Sequence, residues 1–135
     1  MRALAIVVLL GYLACCSQPE VVVLQRCWQE SELHEGDIAT GRAIALYSPD
    51  GPLLLSNFCQ DSQFIAIFSD KQLERSTLNA MLSASRGEWH GGQGYLVEIS
   101  GTVGRESERF DGLELSIDRI SILGRWEPSP AADVR

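Results

Sequence analysis

The sequence predicts a mainly β protein with one helix, an α+β domain of five strands whose helix lies between the third and the fourth. Three observations predict it. Apolar and polar residues alternate along 95–103 and 113–117, the period of half-buried strands, and 37–47 reads as a strand with apolar residues on both parities. One stretch alone, opening at Ser69 and closing at Gly87, repeats its apolar residues at helical spacing. Turn residues punctuate these segments: Ser48-Pro49-Asp50-Gly51-Pro52, the glycine-rich 87–94, and Asp111-Gly112.

The chain opens on Met1-Arg2, an apolar run from Ala3 to Ala14, and the small residues Cys15-Cys16-Ser17. This layout reads as an export signal over 1–16. The apolar run is too short for a bilayer span, which takes about 20 residues. Its end resembles a bacterial lipoprotein lipobox in either of two registers, Tyr12-Leu13-Ala14-Cys15 or Leu13-Ala14-Cys15-Cys16. The resemblance implies lipidation of Cys15 or Cys16; ordinary secretion without lipid is the alternative. Neither residue following the anchor is the aspartate of an inner-membrane retention signal. The expected location is therefore the periplasmic side of the cell envelope, anchored in the outer membrane.

Residues 17–35 read as a tether. Within it, Val21-Val22-Val23-Leu24 is either a short strand or the end of the linker, and Ser31–Glu35 is one polar helical turn. The domain proper spans 36–126. Its first strand covers Asp37–Tyr47, with Gly41 marking a bulge or a sharp coil. Leu53 starts a second strand running to about Phe58. Phe64–Phe68 is the third, apolar on both faces and hence central. Ser69 caps the helix, with Gln72 as its capping-box partner, and Leu73, Leu78, Met81 and Leu82 form the apolar stripe. Tyr95, Val97, Ile99 and Val103 are the inward side of strand four. Leu113, Leu115 and Ile117 start strand five on one parity, while Ile120 and Ile122 continue on the other. That phase shift predicts a bulge at Asp118-Arg119, because otherwise the apolar set turns outward. Trp126 closes the domain, and 127–135 is a loose tail.

Of the four cysteines, Cys27 and Cys59 lie beyond the signal. An even number in an exported chain suggests a disulfide, with two separate buried thiols as the alternative. Eighteen acidic and 11 basic residues give a net charge of −7, which repels nucleic-acid phosphates and anionic membrane surfaces. The basic residues are scattered rather than clustered, so no nucleic-acid partner is expected.

The order of strands, with a kink in the first and a bulge in the last, resembles an OB-fold, a small five-stranded barrel with a helix between strands three and four. The resemblance covers about 36–124. It is carried by Val97-Glu98-Ile99-Ser100-Gly101-Thr102-Val103-Gly104 and Gly112-Leu113-Glu114-Leu115-Ser116-Ile117, the glycine-and-valine rhythm of OB strands four and five. Another small barrel or sandwich with one helix is the alternative. The periplasmic haem chaperone of cytochrome c maturation is similar in placing Gly92-Gln93-Gly94 before a strand. That family attaches haem through a histidine near its C-terminus, and none follows His90, so the activity does not carry over and no cofactor is expected. Small exported OB proteins of the bacterial envelope fit compartment, size and charge best.

Cys27, His34, Cys59 and His90 are spaced far more widely than the compact pairs of zinc sites, so no metal is expected. No nucleophile elbow, HExxH, phosphate loop or dinucleotide fingerprint is present, and the chain reads as non-catalytic. A binding face is sought at Arg42, Tyr47, Trp89 and His90, on the first strand and the loop before strand four, where aromatic and cationic groups adjoin. The expected function is a non-catalytic binding module for an envelope protein or small ligand, tethered to the membrane by lipid. The alternative is a structural accessory subunit of an envelope complex acting through a strand edge.

Overall fold

The structure is a computed structural model describing residues 18–47, 51–85 and 94–127. In chain order the elements are β1 (Val21–Leu24), a 3₁₀ turn (Glu30–Glu32), β2 (Ile38–Leu46), β3 (Leu54–Ser56), β4 (Gln63–Phe68), α1 (Lys71–Ala84), β5 (Gly94–Glu106) and β6 (Leu113–Trp126). The mainly β, one-helix class follows the sequence, with α1 leading from β4 towards β5. The strand count does not: among the described residues there are six strands in one sheet, not five.

The sixth is β1, in the stretch read as a tether. Three successive valines favour extended backbone, and β1 pairs in parallel with the start of β2, Val21 against Ile38 through Leu24 against Gly41. Beyond it, Trp28 and Leu33 enter the core at 2% and 6% exposure. Residues 21–33 thus pack as part of the domain, because they carry apolar side chains that the core takes in.

The sheet order is β1-β2-β3-β4-β6-β5, and β2 pairs with β5 as well. β5 runs along the whole of β2, from Thr102 against Ile38 to Gly94 against Leu46. On the other side β2 receives β1 up to Gly41 and β3 from Ile44. β4 lies antiparallel to β3 and parallel to β6, as its central reading requires. Tyr95, Val97, Ile99 and Val103 of β5 are all buried, together with Ala39, Ala43 and Ala45 of β2 and Leu115 and Ile117 of β6.

β6 carries the bulge expected at Asp118-Arg119. Ser100 pairs with Arg119 and Gly101 with Ile117, so Asp118 has no partner across the ladder. The extra residue rephases the strand, and Ile120 and Ile122 pack against the same core as Ile117. A Cβ on Gly101 would stand 2.4 Å from the Ser116 carbonyl oxygen, so only glycine admits this approach. In β2 the register passes through Gly41 without a break; the feature there is a coil, with φ +143, and not a bulge.

Two local expectations shift. The N-cap is Asp70, not Ser69: its backbone is extended and its carboxylate accepts from the Gln72 N–H at 2.8 Å. β3 is only Leu54–Ser56, because Asn57 draws the following backbone into a side-chain-bonded loop.

Candidate functional site at the notch between β1 and β3

β1 ends at Leu24 opposite Gly41 and β3 reaches only to Ser56 opposite Ile44, which leaves Arg42 and Ala43 without a strand on the side of β2 away from β5. Gly41 sets this geometry. Its positive φ is open to glycine, and a Cβ there would meet Leu24 Cβ at 3.1 Å. β1 can therefore lie close against β2 and then turn off, with the Trp28 N–H donating to the Gln25 carbonyl at 3.3 Å.

The departing segment is clamped to the β3–β4 loop and to β4. Cys27 and Cys59 form the disulfide. The Phe58 N–H donates to the Arg26 carbonyl at 2.9 Å. Buried Asn57 donates through Nδ2 to the Trp28 carbonyl at 2.8 Å, while its Oδ1 accepts from the N–H groups of Cys59 and Asp61. Trp28 stacks on Phe64, ring centroids 4.4 Å apart and planes 20° apart.

The clamp places Phe58 and Arg26 at the edge of the notch. The Arg26 guanidinium carbon is 5.9 Å from the Phe58 ring centroid. Trp126, at the end of β6, meets Phe58 edge-on at 5.3 Å. The result is an open groove of about 550 Å³ lined by Val23, Leu24, Arg26, Gly41, Arg42, Phe58 and Glu98. Arg42 is exposed and stands directly across from Glu98 of β5. Among the described residues neither Arg26 nor Arg42 forms an ion pair within 4.0 Å.

Of the four residues sought as a binding face, Arg42 lies in the groove. Tyr47 does not: it is half-buried and packs against the core, five positions along from Arg42 and hence on the opposite parity. Trp89 and His90 lie outside the described residues, as do Cys15 and Cys16. Arg26, Phe58, Val23 and Glu98 went unnoticed in the sequence. The signal for two of them was present, since Arg26 precedes Cys27 and Phe58 precedes Cys59, so pairing the cysteines brings their neighbours together. His34 is exposed, with its ring 3.7 Å from the Asp37 carboxylate, and among the described residues no three His, Cys, Asp or Glu side chains gather as a metal-ligand set.

A second open groove, about 350 Å³, is lined by Glu30, Asp61, Glu106 and Asp111 with Phe110 at its rim. Its carboxylates come from three segments: the 3₁₀ turn, the β3–β4 loop and the end of β5 with its connection to β6. No protein-family model matches the chain, and neither a curated protein nor a solved structure matches it.

Proposed function

We propose that this protein is a non-catalytic binding module of the bacterial envelope, exported and lipid-anchored through Cys15 or Cys16, that holds a protein or small ligand at the Arg42 face. The observation that carries the reading is the groove at the notch, in which a cationic side chain without an ion-pair partner among the described residues stands beside apolar ones. Pockets that bind ligands combine an apolar lining with a few placed polar groups. The domain is read as an OB-like barrel of five strands, β2 to β6, with β1 added outside it. In support, the pairing runs β2–β3–β4–β6–β5 and returns to β2, and β4 and β6 are parallel with the helix between β4 and β5.

The test is cross-linked capture from envelope fractions with the full chain and with Arg42→Ala, both analysed for bound protein and for bound small molecules. A species recovered with the full chain and lost with Arg42→Ala is the expected result. Equal recovery with both ends the reading. Intact mass of the membrane-purified protein checks the anchor: acyl groups on a chain beginning at Cys15 or Cys16 are expected.

The alternative, an accessory subunit docking through a strand edge, has its own observation. Glu20 offers its carbonyl to Ile38 N–H of β2 at 2.8 Å, so alternation turns the N–H and C=O of Val21 and Val23 away from β2. These two residues are 64% and 60% exposed. Capture that survives Arg42→Ala and fails with Val23→Pro favours this second reading.

A further inference from the structure

The groove at the notch has two chemically distinct walls. Val23, Leu24 and Phe58 supply its apolar side, and Arg26, whose guanidinium carbon is 5.9 Å from the Phe58 ring centroid, and Arg42 supply its cationic side. We propose that this groove binds an amphipathic anion: a carboxylate or phosphate head held by Arg42 and Arg26, with a short apolar body lying on Val23, Leu24 and Phe58. The inference rests on the binding-module reading above and names its ligand class.

Three observations fix the class. The groove's volume of about 550 Å³ lies within the range of small-molecule sites. Two guanidinium groups face one carboxylate, Glu98, in a chain whose net charge is −7, so the notch is cationic against the trend of the molecule. Arg26 lies over the Phe58 ring, an arrangement in which a planar guanidinium keeps its edge N–H donors for an oxyanion. A long polyanion is disfavoured by the acidity of the remaining surface, and an uncharged apolar ligand would leave both guanidinium groups without a partner. Glu98, opposite Arg42, competes with the ligand head for the same donor.

The test uses the ¹⁵N-labelled full chain and three probes: octyl phosphate, octyl glucoside with the same body but no charge, and inorganic phosphate with the head but no body. Octyl phosphate is expected to shift the amides of Val23, Arg42 and Phe58 and to saturate, with the other two probes at least about tenfold weaker. Arg42→Gln and Arg26→Gln should each weaken octyl phosphate by about tenfold, the worth of one charge-assisted hydrogen bond. Glu98→Gln should tighten it. All three side chains are exposed, and unchanged amide spectra elsewhere establish that the variants fold. Equal response to octyl glucoside, or no response at these amides to octyl phosphate, overturns the proposal. If Arg42-dependent capture persists after such a failure, the binding-module reading stands and only the ligand class falls. Two supporting outcomes distinguish the source of the anion. Arg42-dependent sedimentation with phosphatidylglycerol vesicles, but not with phosphatidylcholine vesicles, identifies a lipid headgroup. Octyl phosphate binding without it identifies a free amphiphile.

Discussion

Trp28 holds the fold together by shape alone. It is 2% exposed and stacked on Phe64, while its indole N–H is buried without an acceptor among the described residues. Trp28→Ala is therefore expected to cost about 3–5 kcal/mol in chemical denaturation. Trp28→Phe should cost far less, since it keeps a stacked ring and removes a donor whose unpaired burial costs about 1–3 kcal/mol. Equal losses would mean that the indole nitrogen has a partner. Asn57 works the opposite way, through three hydrogen bonds from a fully buried amide. Asn57→Ala strands those backbone groups, and a loss of about 2–3 kcal/mol is expected by the same measurement. Trp28 is one of three tryptophans at segment ends, where an amphipathic ring caps a core, and that much was visible in the sequence. The role of Asn57 was not, because an asparagine in a polar loop looks the same whether it faces water or organises the loop from inside.

At the scale of elements, the segment from β1 to the 3₁₀ turn is tied to the β3–β4 loop by a disulfide spanning 32 residues. Loop-closure entropy makes that bond worth about 3–4 kcal/mol. The double variant Cys27→Ser/Cys59→Ser should lose this much in denaturant, with an unchanged β-rich circular dichroism spectrum at low denaturant. A loss below about 1 kcal/mol would mean that the hydrogen bonds of Asn57 and Phe58 hold the segment unaided. The elements that the sequence made legible were those with a strict period: the inward set of β5, and the parity change that locates the Asp118 bulge. β1 was ambiguous because four β-branched or apolar residues carry no period, and its partner, the start of β2, is found only in three dimensions. The helix cap moved by one residue because Ser69 and Asp70 are both capping types, and only the extended backbone at Asp70 decides between them.

For the whole molecule, pairing concentrates on the centre of the sheet. Residues of β5 from Gly94 to Thr102 are hydrogen-bonded to β2 on one side and β6 on the other, whereas β1 has one neighbour. Hydrogen exchange should accordingly be slowest at Val97 and Ile99 and faster by orders of magnitude at Val22 and Leu24, whose N–H groups face β2. Protection at Val22 and Leu24 equal to that at Ile99 would mean that β1 opens only with the whole domain. The candidate site was half legible for the same architectural reason. Arg42 stood out as a cation within a strand, but the groove around it is assembled from four segments that only the sheet pairing and the disulfide bring together. The position of the disulfide also has a mechanical meaning. A load pulling on the N-terminal end reaches β1 first and can peel it from β2 one hydrogen bond after another. At Cys27 the peeling meets a covalent stop, and the force passes through Cys59 directly into the β3–β4 loop. The molecule therefore has a sacrificial first strand backed by an arrest point, and under tension it should lengthen by one short step and then hold.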